Sequence, residues 1–542
     1  MKAYEAIAAQ LAHLGAQHIF GLMGDGNLKL IPTLQHELGV HVHSARHEAG
    51  AVAMADGFAR SSGGVGVCTF TQGPGLTNAL TALVTAHRGR VPLLVLAGDT
   101  PRSVRGLPQD IEQIPLIEAA GLACTQMRPE SAHADVANAW RRALDERRPV
   151  LLVMPTDVQD EEAGDSVQPC PPSQRQAVTP GDLSAAAEAL SASQRPVLVA
   201  GRGALESDAR AALLQLGETA GALLATSLPV NGWFSDQEFG VGIAGGFADE
   251  TTRALINGAD CIVAFGASLN HFTSRAGTLF APDATIVQID ETDAAFGKFT
   301  RFDLSVTGDA RLVAEQLGEQ VSAGTRYRTE AVRETIERGA EAPADASDAA
   351  GLDPRAVARA LSDLLPERPV LAVDGGHFMG FPSMDIAVDS PRDYVFTLDF
   401  GSIGLGLAAA IGAGVANPGR LVVAAVGDGG LMMSLGELDT AARLGLPLLI
   451  TVFNDQAYGA ELHFLRMSGF PEESSQFPTT APLAPIAQAI GIEALAVTEL
   501  ADLDAVRDRV AKGLTAPLLV DLRITHTVRA AWLEEAFARG TH

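Results

Sequence analysis

The chain has 542 residues, well beyond the roughly 250–300 at which one core stops growing, so two to four domains are expected. It is 47% hydrophobic and 19% charged, an ordinary globular balance, and its net charge of -26 argues against nucleic-acid or anionic-membrane partners, which need basic patches. Cys68, Cys124, Cys170 and Cys261 are scattered without a CxxC pair, which argues against a disulfide framework or zinc site and predicts reduced thiols in a cytoplasmic protein.

The first segment, "MKAYEAIAAQLAHLG", has charge and amide within its apolar pattern and predicts an amphipathic helix, not a signal peptide. No apolar run is long enough for a membrane span. "HSARHEAGAVAMADGFAR" follows, with Glu48 at a helix start among Ala and Gly, small residues that permit close backbone packing. "TQGPGLTNALTALVTAHRGRVPLL" then reads as glycine turn, helix, loop, proline and strand. "DEEAGDSVQPCPPSQRQAVTPGD" (160–182) and "ERGAEAPADASDAAGLDP" (337–354) read as linkers. They divide the chain into domains at 1–165, 180–325 and 350–530.

Each block alternates Val/Leu/Ile runs with helical patterns; "RPVLVAGRG", "CIVAFGAS", "TIVQID" and "RPVLAVDGG" are examples. Such runs, ending in Gly or Asp ahead of a helix, are buried parallel strands with crossover helices. The fold class is therefore α/β, three doubly wound domains with parallel central sheets. Gly75–Leu94 and Gly430–Leu449 can be superposed in register with many identities, which predicts a shared fold for the first and third domains.

The chemistry concentrates in the third block. "RLVVAAVGDGG" is a strand entering a turn, Gly427-Asp428-Gly429-Gly430, with a helix expected from about Leu431 to Leu444. Backbone N–H groups at such a turn suit a phosphate, and Asp428 could hold Mg²⁺ against it. The next strand, "LPLLITVFND", ends at Asn454-Asp455, ahead of the turn Tyr458-Gly459. Neighbouring parallel strands bring their C-terminal ends to one crevice, so Asp428 and Asp455 should converge there.

On these motifs the chain resembles the thiamine diphosphate-dependent decarboxylase and carboligase family, which includes pyruvate decarboxylase, benzoylformate decarboxylase, benzaldehyde lyase and acetolactate synthase. The resemblance covers essentially the whole chain and implies a pyrimidine-binding domain, a central domain and a diphosphate-binding domain. It implies thiamine diphosphate and Mg²⁺ as cofactors, with the metal on Asp428, Asp455 and the Ala457 carbonyl. The family has Asn-Asn where this chain has Asn454-Asp455, so an altered Mg²⁺ affinity is expected. Gly376, His377 and Phe378 of "DGGHFMG", with Gly427, Gly429, Gly430 and Tyr458, are the implied cofactor contacts. In "FGSIGLGLAAAIGA", Ile403 would wedge beneath the cofactor and the Gly401 carbonyl would accept from its 4′-amino group. Glu48 would bond the aminopyrimidine and promote the C2-ylide, working in a site shared between subunits. A homodimer is then the minimum unit, and a homotetramer is common.

Asp25 and Glu461 fall where pyruvate decarboxylase-like members carry acids that manage protons. The paired histidines of those members are missing from "LPQDIEQIP", where Gln113 resembles a glutamine of benzaldehyde lyase and acetolactate synthase instead. Gln72 of "TQGPGLTN" stands where a different residue is usual. His271 falls near a pocket histidine of benzoylformate decarboxylase, and Arg275 could contact a carboxylate. The flavin signature of acetolactate synthases is poorly matched, so no flavin is expected. The resemblance implies a lyase: a 2-oxo acid decarboxylase or acyloin lyase/carboligase acting through an enamine, on a small-molecule 2-oxo acid, an aldehyde or both. The alternatives are an acetolactate synthase-type transferase without a functional FAD site and, more remotely, an inactive cofactor-binding homologue. The segment after Glu461, "LHFLRMSGFPEESSQFP", reads as a pocket-shaping loop.

Overall fold

A computed structural model describes residues 1–104, 106–477 and 482–533. Three six-stranded sheets succeed one another along the chain, and every pairing within them is parallel. The first contains β1 (His18–Gly21), β2 (His41–Ser44), β3 (Gly66–Phe70), β4 (Leu93–Asp99), β5 (Ala123–Gln126) and β6 (Pro149–Pro155), in the order 2-1-3-4-6-5. The central sheet contains β7 (Pro196–Ala200), β8 (Leu223–Thr226), β9 (Gly240–Ile243), β10 (Cys261–Phe265), β11 (Thr285–Asp290) and β12 (Leu304–Thr307), in the order 12-11-10-7-8-9. The third contains β13 (Val370–Val373), β14 (Tyr394–Phe396), β15 (Val422–Gly427), β16 (Leu448–Asn454), β17 (Glu493–Val497) and β18 (Leu518–Arg523), in the order 14-13-15-16-18-17. The first and third orders are the same topology. The repeat seen in the sequence ends in the fourth strand of each sheet, β4 and β16.

The apolar runs became strands because both of their faces are covered. Leu93–Ala97 and Leu448–Phe453 are buried throughout, as parallel strands between helix layers require. The helices that matter for the site are α1 (Ala3–His13), α2 (Glu48–Ser62), α3 (Pro74–Arg88), α4 (Gln113–Ala119), α5 (Gly406–Ala416), α6 (Asp428–Met433), α7 (Glu437–Leu444) and α8 (Gly459–Ser468).

The first and third domains share one continuous core, in which Phe20, Met54 and Leu83 join Leu407, Ile411 and Ile450. Helices α2 and α5 make that junction, at backbone-to-backbone distance. A Cβ on Gly57 would stand 2.0 Å from the Ala409 carbonyl oxygen, and one on Gly412 would stand 1.8 Å from that of Met54. Only glycine fits at those crossings. The central domain has separate cores, the larger built on Leu190, Leu213, Phe265 and Leu317.

Two local expectations are corrected. The single helix expected over Leu431–Leu444 is broken into α6 and α7. The Ser434 hydroxyl bonds back to the Gly430 carbonyl, 3.2 Å, which competes with the helix ladder, and Gly436 packs against Arg46. The segment after Glu461 is mostly helical, not a loop: α8 runs to Ser468, Gly469 ends it in the left-handed conformation, and a 3₁₀ turn spans Glu472–Ser475. Ala, Glu, Leu, Arg and Met favour that helix; Pro478, the last residue of the segment, lies outside the described residues.

Candidate active site

A cavity of about 380 Å³ opens at the C-terminal ends of β13, β15 and β16, the crevice where doubly wound sheets bind ligands. The turn after β13 forms one wall. Gly376 has φ +148, and the Phe378 ring stacks on Phe453 with centroids 5.2 Å apart. His377 is buried, and its Nε2 accepts the Ala530 N–H at 2.8 Å, which places its own proton on Nδ1. Burial holds the imidazole well below its usual pKa, so the ring is a neutral donor.

The turn ahead of α5 forms the floor. Gly401 has φ +80, and no atom lies within 4 Å of where its Cβ would be. Ile403 lines the cavity two residues on. Asp374, at the end of β13, fixes this turn: its Oδ2 accepts the Gly404 N–H at 2.8 Å and its Oδ1 that of Gly375 at 2.9 Å. Burial pushes its carboxyl up to about 6 against those bonds.

Opposite lies the turn from β15 into α6. Gly427, Asp428, Gly429 and Gly430 line the cavity, and so does Asp455 from the end of β16. Both carboxyls are buried and raised well above the carboxylate range. For Asp428 the main cause is burial; for Asp455 it is burial and then the charge of Asp428. Asp455 Oδ1 accepts the Ala457 N–H at 3.1 Å, and Gln456 between them takes a left-handed φ of +56. Gly459 leaves room for Asp455, since a Cβ there would stand 2.3 Å from Oδ2. Asn454, in contrast, does not line the cavity; its amide donates to Asp521 at 2.8 Å. Tyr458 and Glu461 stand exposed at the rim, the Tyr458 ring edge-on to Phe477 at 4.9 Å.

These features fit a magnesium diphosphate. Two facing carboxyls that resist ionising are a pair a divalent cation would stabilise. Among the described residues no group of three His, Cys, Asp or Glu side chains could hold a metal, so a cation here would have to complete its shell with backbone or ligand oxygens. The glycine walls and the N-terminus of α6 suit phosphate oxygens.

The central domain contributes His271 and Phe272 to the cavity, whereas Arg275 does not line it. The remaining expected residues lie elsewhere. Asp25, Glu48, Gln72 and Gln113 follow the C-terminal ends of β1, β2, β3 and β4 in turn, and none of them lines this cavity. Glu48 is buried at the first position of α2, where its Oε2 accepts from the Asn78 amide at 3.0 Å. Gln72 Nε2 reaches Asp25 Oδ2 at 3.4 Å. The buried Gln113 amide is committed within the domain: it donates to the Gly98 carbonyl and to Asp99, both at 2.9 Å, and accepts the Gly73 N–H, also at 2.9 Å.

Sequence reasoning missed Asn78 and Asp374. Asn78 ends the quoted "TQGPGLTN" and Asp374 opens "DGGHFMG", so a polar residue at the edge of a glycine motif was the available signal.

Residues 1–116 match the N-terminal TPP binding domain of thiamine pyrophosphate enzymes, residues 183–317 their central domain and residues 357–522 their C-terminal TPP binding domain. The chain belongs to the thiamine pyrophosphate enzyme family. A probable acetolactate synthase large subunit of Methanocaldococcus jannaschii is 28% identical over 97% of this chain and 92% of that one. A sulfoacetaldehyde acetyltransferase of Alcaligenes xylosoxydans xylosoxydans is 28% identical over 92% of this chain and 88% of that one. The thiamine diphosphate-dependent 4-hydroxybenzoylformate decarboxylase of Rhodococcus jostii RHA1 superposes with a TM-score of 0.82 at 20% identity, covering 97% of this chain and 99% of that one; this likeness speaks to fold. Among thiamine pyrophosphate enzymes, then, this chain has full-length relatives and the expected three-domain architecture.

Proposed function

We propose that the protein is a thiamine diphosphate- and Mg²⁺-dependent lyase that decarboxylates a 2-oxo acid, with acyloin formation or cleavage as the second use of the same site. The observation that carries this reading is one cavity in which glycine turns, the buried Asp428–Asp455 pair and the Glu461 carboxyl meet. Asp428, Asp455 and the Ala457 carbonyl would hold Mg²⁺. Gly376, Phe378, Gly427, Gly429, Gly430, Tyr458 and the Nδ1–H of His377 would receive the cofactor, with Gly401 and Ile403 beneath it. When bound, thiamine diphosphate supplies the electron sink that protein side chains lack.

This chain's own residues then bind, orient and move protons. Asn78 fixes one oxygen of Glu48; the other would be left to exchange a proton with a ring nitrogen of the bound cofactor. Because Glu48 and Asp25 do not line the cavity of their own chain, we assign them to the cavity of a second copy, which makes the homodimer the minimum unit and a homotetramer a reasonable assembly. Glu461 at the rim would shuttle a proton to the product, and His271 would face the substrate. Gln113, its amide already committed, is assigned to holding the Gly73 turn and not to substrate. Among the described residues no helix is long and apolar enough to cross a membrane.

A second reading, an acetolactate synthase-type transferase without a functional FAD site, is supported by the names of the relatives found by sequence. One experiment separates the two: a panel of 2-oxo acids and aldehydes with added thiamine diphosphate and Mg²⁺, scoring CO₂ and acyloin separately. Aldehyde as the main product supports the lyase. Acetohydroxy acid from 2-oxo acid pairs supports the transferase. Cofactor binding without turnover would indicate a catalytically inactive homologue.

A further inference from the structure

We propose that Glu437, on the diphosphate-binding domain, is a positioning residue for Glu48; this rests on the role given to Glu48 above. Glu437 is the first residue of α7 and is 2% exposed. Its Oε1 accepts two backbone N–H groups of the other domain, those of Arg46 and His47, each at 3.1 Å. Its Oε2 accepts the Thr440 hydroxyl at 2.7 Å. Among the described residues, the hydrogen bonds of this carboxylate are therefore spent on α7 itself and on the two residues just ahead of Glu48.

The same helix holds that turn at two further points. Arg443 donates to the Ser44 carbonyl at 2.7 Å, and Asp439 pairs with the Arg46 guanidinium at 2.6 Å. Space has been cleared for the carboxylate, because a Cβ on Gly50 would stand 2.2 Å from Glu437 Oε1. His47 caps α2 by accepting the Ala49 N–H on its ring at 3.1 Å. The backbone on which Glu48 stands is thus set by Glu437 from below, while Asn78 sets the carboxylate from the side. An acid buried at this cost, bonding only to backbone N–H groups and one hydroxyl, is a fastener whose product is the direction of Glu48. Misplacement of a reacting group by about 1 Å costs about 10²-fold in rate.

The test uses the full-length protein with thiamine diphosphate and Mg²⁺ as probe, because the substrate need not be known. Three quantities are read: amide hydrogen exchange of the 44–50 segment without cofactor, the cofactor Kd, and exchange of the cofactor's C2 proton. Glu437→Gln keeps an acceptor and is expected to match wild type in all three. Glu437→Ala should lose amide protection at Arg46 and His47 and slow C2 exchange by about 10²-fold, with Kd within about threefold. Should the alanine variant fail to fold, Glu437→Asp, one methylene short, is expected to show the same pattern in milder form. C2 exchange in Glu437→Ala or Glu437→Asp within about threefold of wild type overturns the proposal, and so does a glutamine variant as impaired as alanine. Glu48→Gln is run beside them. If wild type neither binds cofactor nor exchanges C2, the cofactor reading itself has failed, and this inference with it. If wild type and Glu48→Gln behave as expected and Glu437→Ala is unaffected, only the positioning role fails.

Discussion

Replacing Asp455 by asparagine should stabilise the cofactor-free protein, and by an amount that grows with pH. Burial and the Asp428 charge push the Asp455 carboxyl from 3.8 up to about 8. Stability from this raised pKa is fully present below the unfolded value, near 4, and is lost progressively as pH rises to about 8. At about 1.4 kcal/mol per unit, the linkage reaches about 4 kcal/mol at pH 7. Water reaching the cavity through its exposed rim relieves part of that, so a gain of about 2 kcal/mol is expected from Asp455→Asn. Urea unfolding in EDTA at pH 5, 7 and 8.5 measures it. The variant's advantage should be smallest at pH 5 and largest at pH 8.5. An advantage independent of pH, or a wild type more stable throughout, would refute the reasoning.

Glu48→Gln should lower turnover by at least about 10²-fold while leaving cofactor binding intact, as calorimetry and steady-state rates will show; near-wild-type turnover removes the activation role. In wild type, Mg²⁺-supported cofactor binding should tighten as pH rises from 6 to 8, because protons on the raised Asp428 and Asp455 carboxyls must leave first. Calorimetry in buffers of different ionisation enthalpy would detect that release. Gln113→Ala removes three hydrogen bonds, one to the Gly73 turn and two to Gly98 and Asp99 at the end of β4, and should cost about 2–3 kcal/mol in denaturant unfolding, with a milder effect on KM; a stable variant with greatly raised KM would instead make Gln113 a substrate contact. Gly57→Ala, driven against the Ala409 carbonyl, should destabilise the α2–α5 junction by about 1–3 kcal/mol or more, and unchanged thermal stability would argue against that packing.

What could be read in the sequence is what local chemistry dictates. Runs such as "RLVVAAVG" and "LPLLITVF" became buried parallel strands because β-branched and leucine residues without alternation fit only a sheet covered on both faces. Gly427–Gly430 and Asp455 met because adjacent parallel strands end on the same side. The shared topology of the first and third domains followed from a repeat of turn, helix and strand. What stayed hidden depends on partners far along the chain. Glu437 looks like any first-turn acid until the Arg46 and His47 amides are brought to it from another domain. Asp374 reads as a turn residue until Gly404 arrives. The break after Met433 depends on a hydroxyl bonding back to Gly430, which helix propensity does not show. Gln113 read as a pocket residue by resemblance, and only the folded chain shows its amide already engaged.

The central claim is that Asp428 and Asp455 hold a magnesium diphosphate at the ends of β15 and β16. Calorimetric titration of thiamine diphosphate into the protein, with Mg²⁺ and with EDTA, tests it most directly, with Asp428→Ala as the comparison. Saturable binding of wild type that requires Mg²⁺, and at least about 10-fold weaker binding by the alanine variant, is the expected result. Binding that is indifferent to Mg²⁺ and to Asp428→Ala would contradict it.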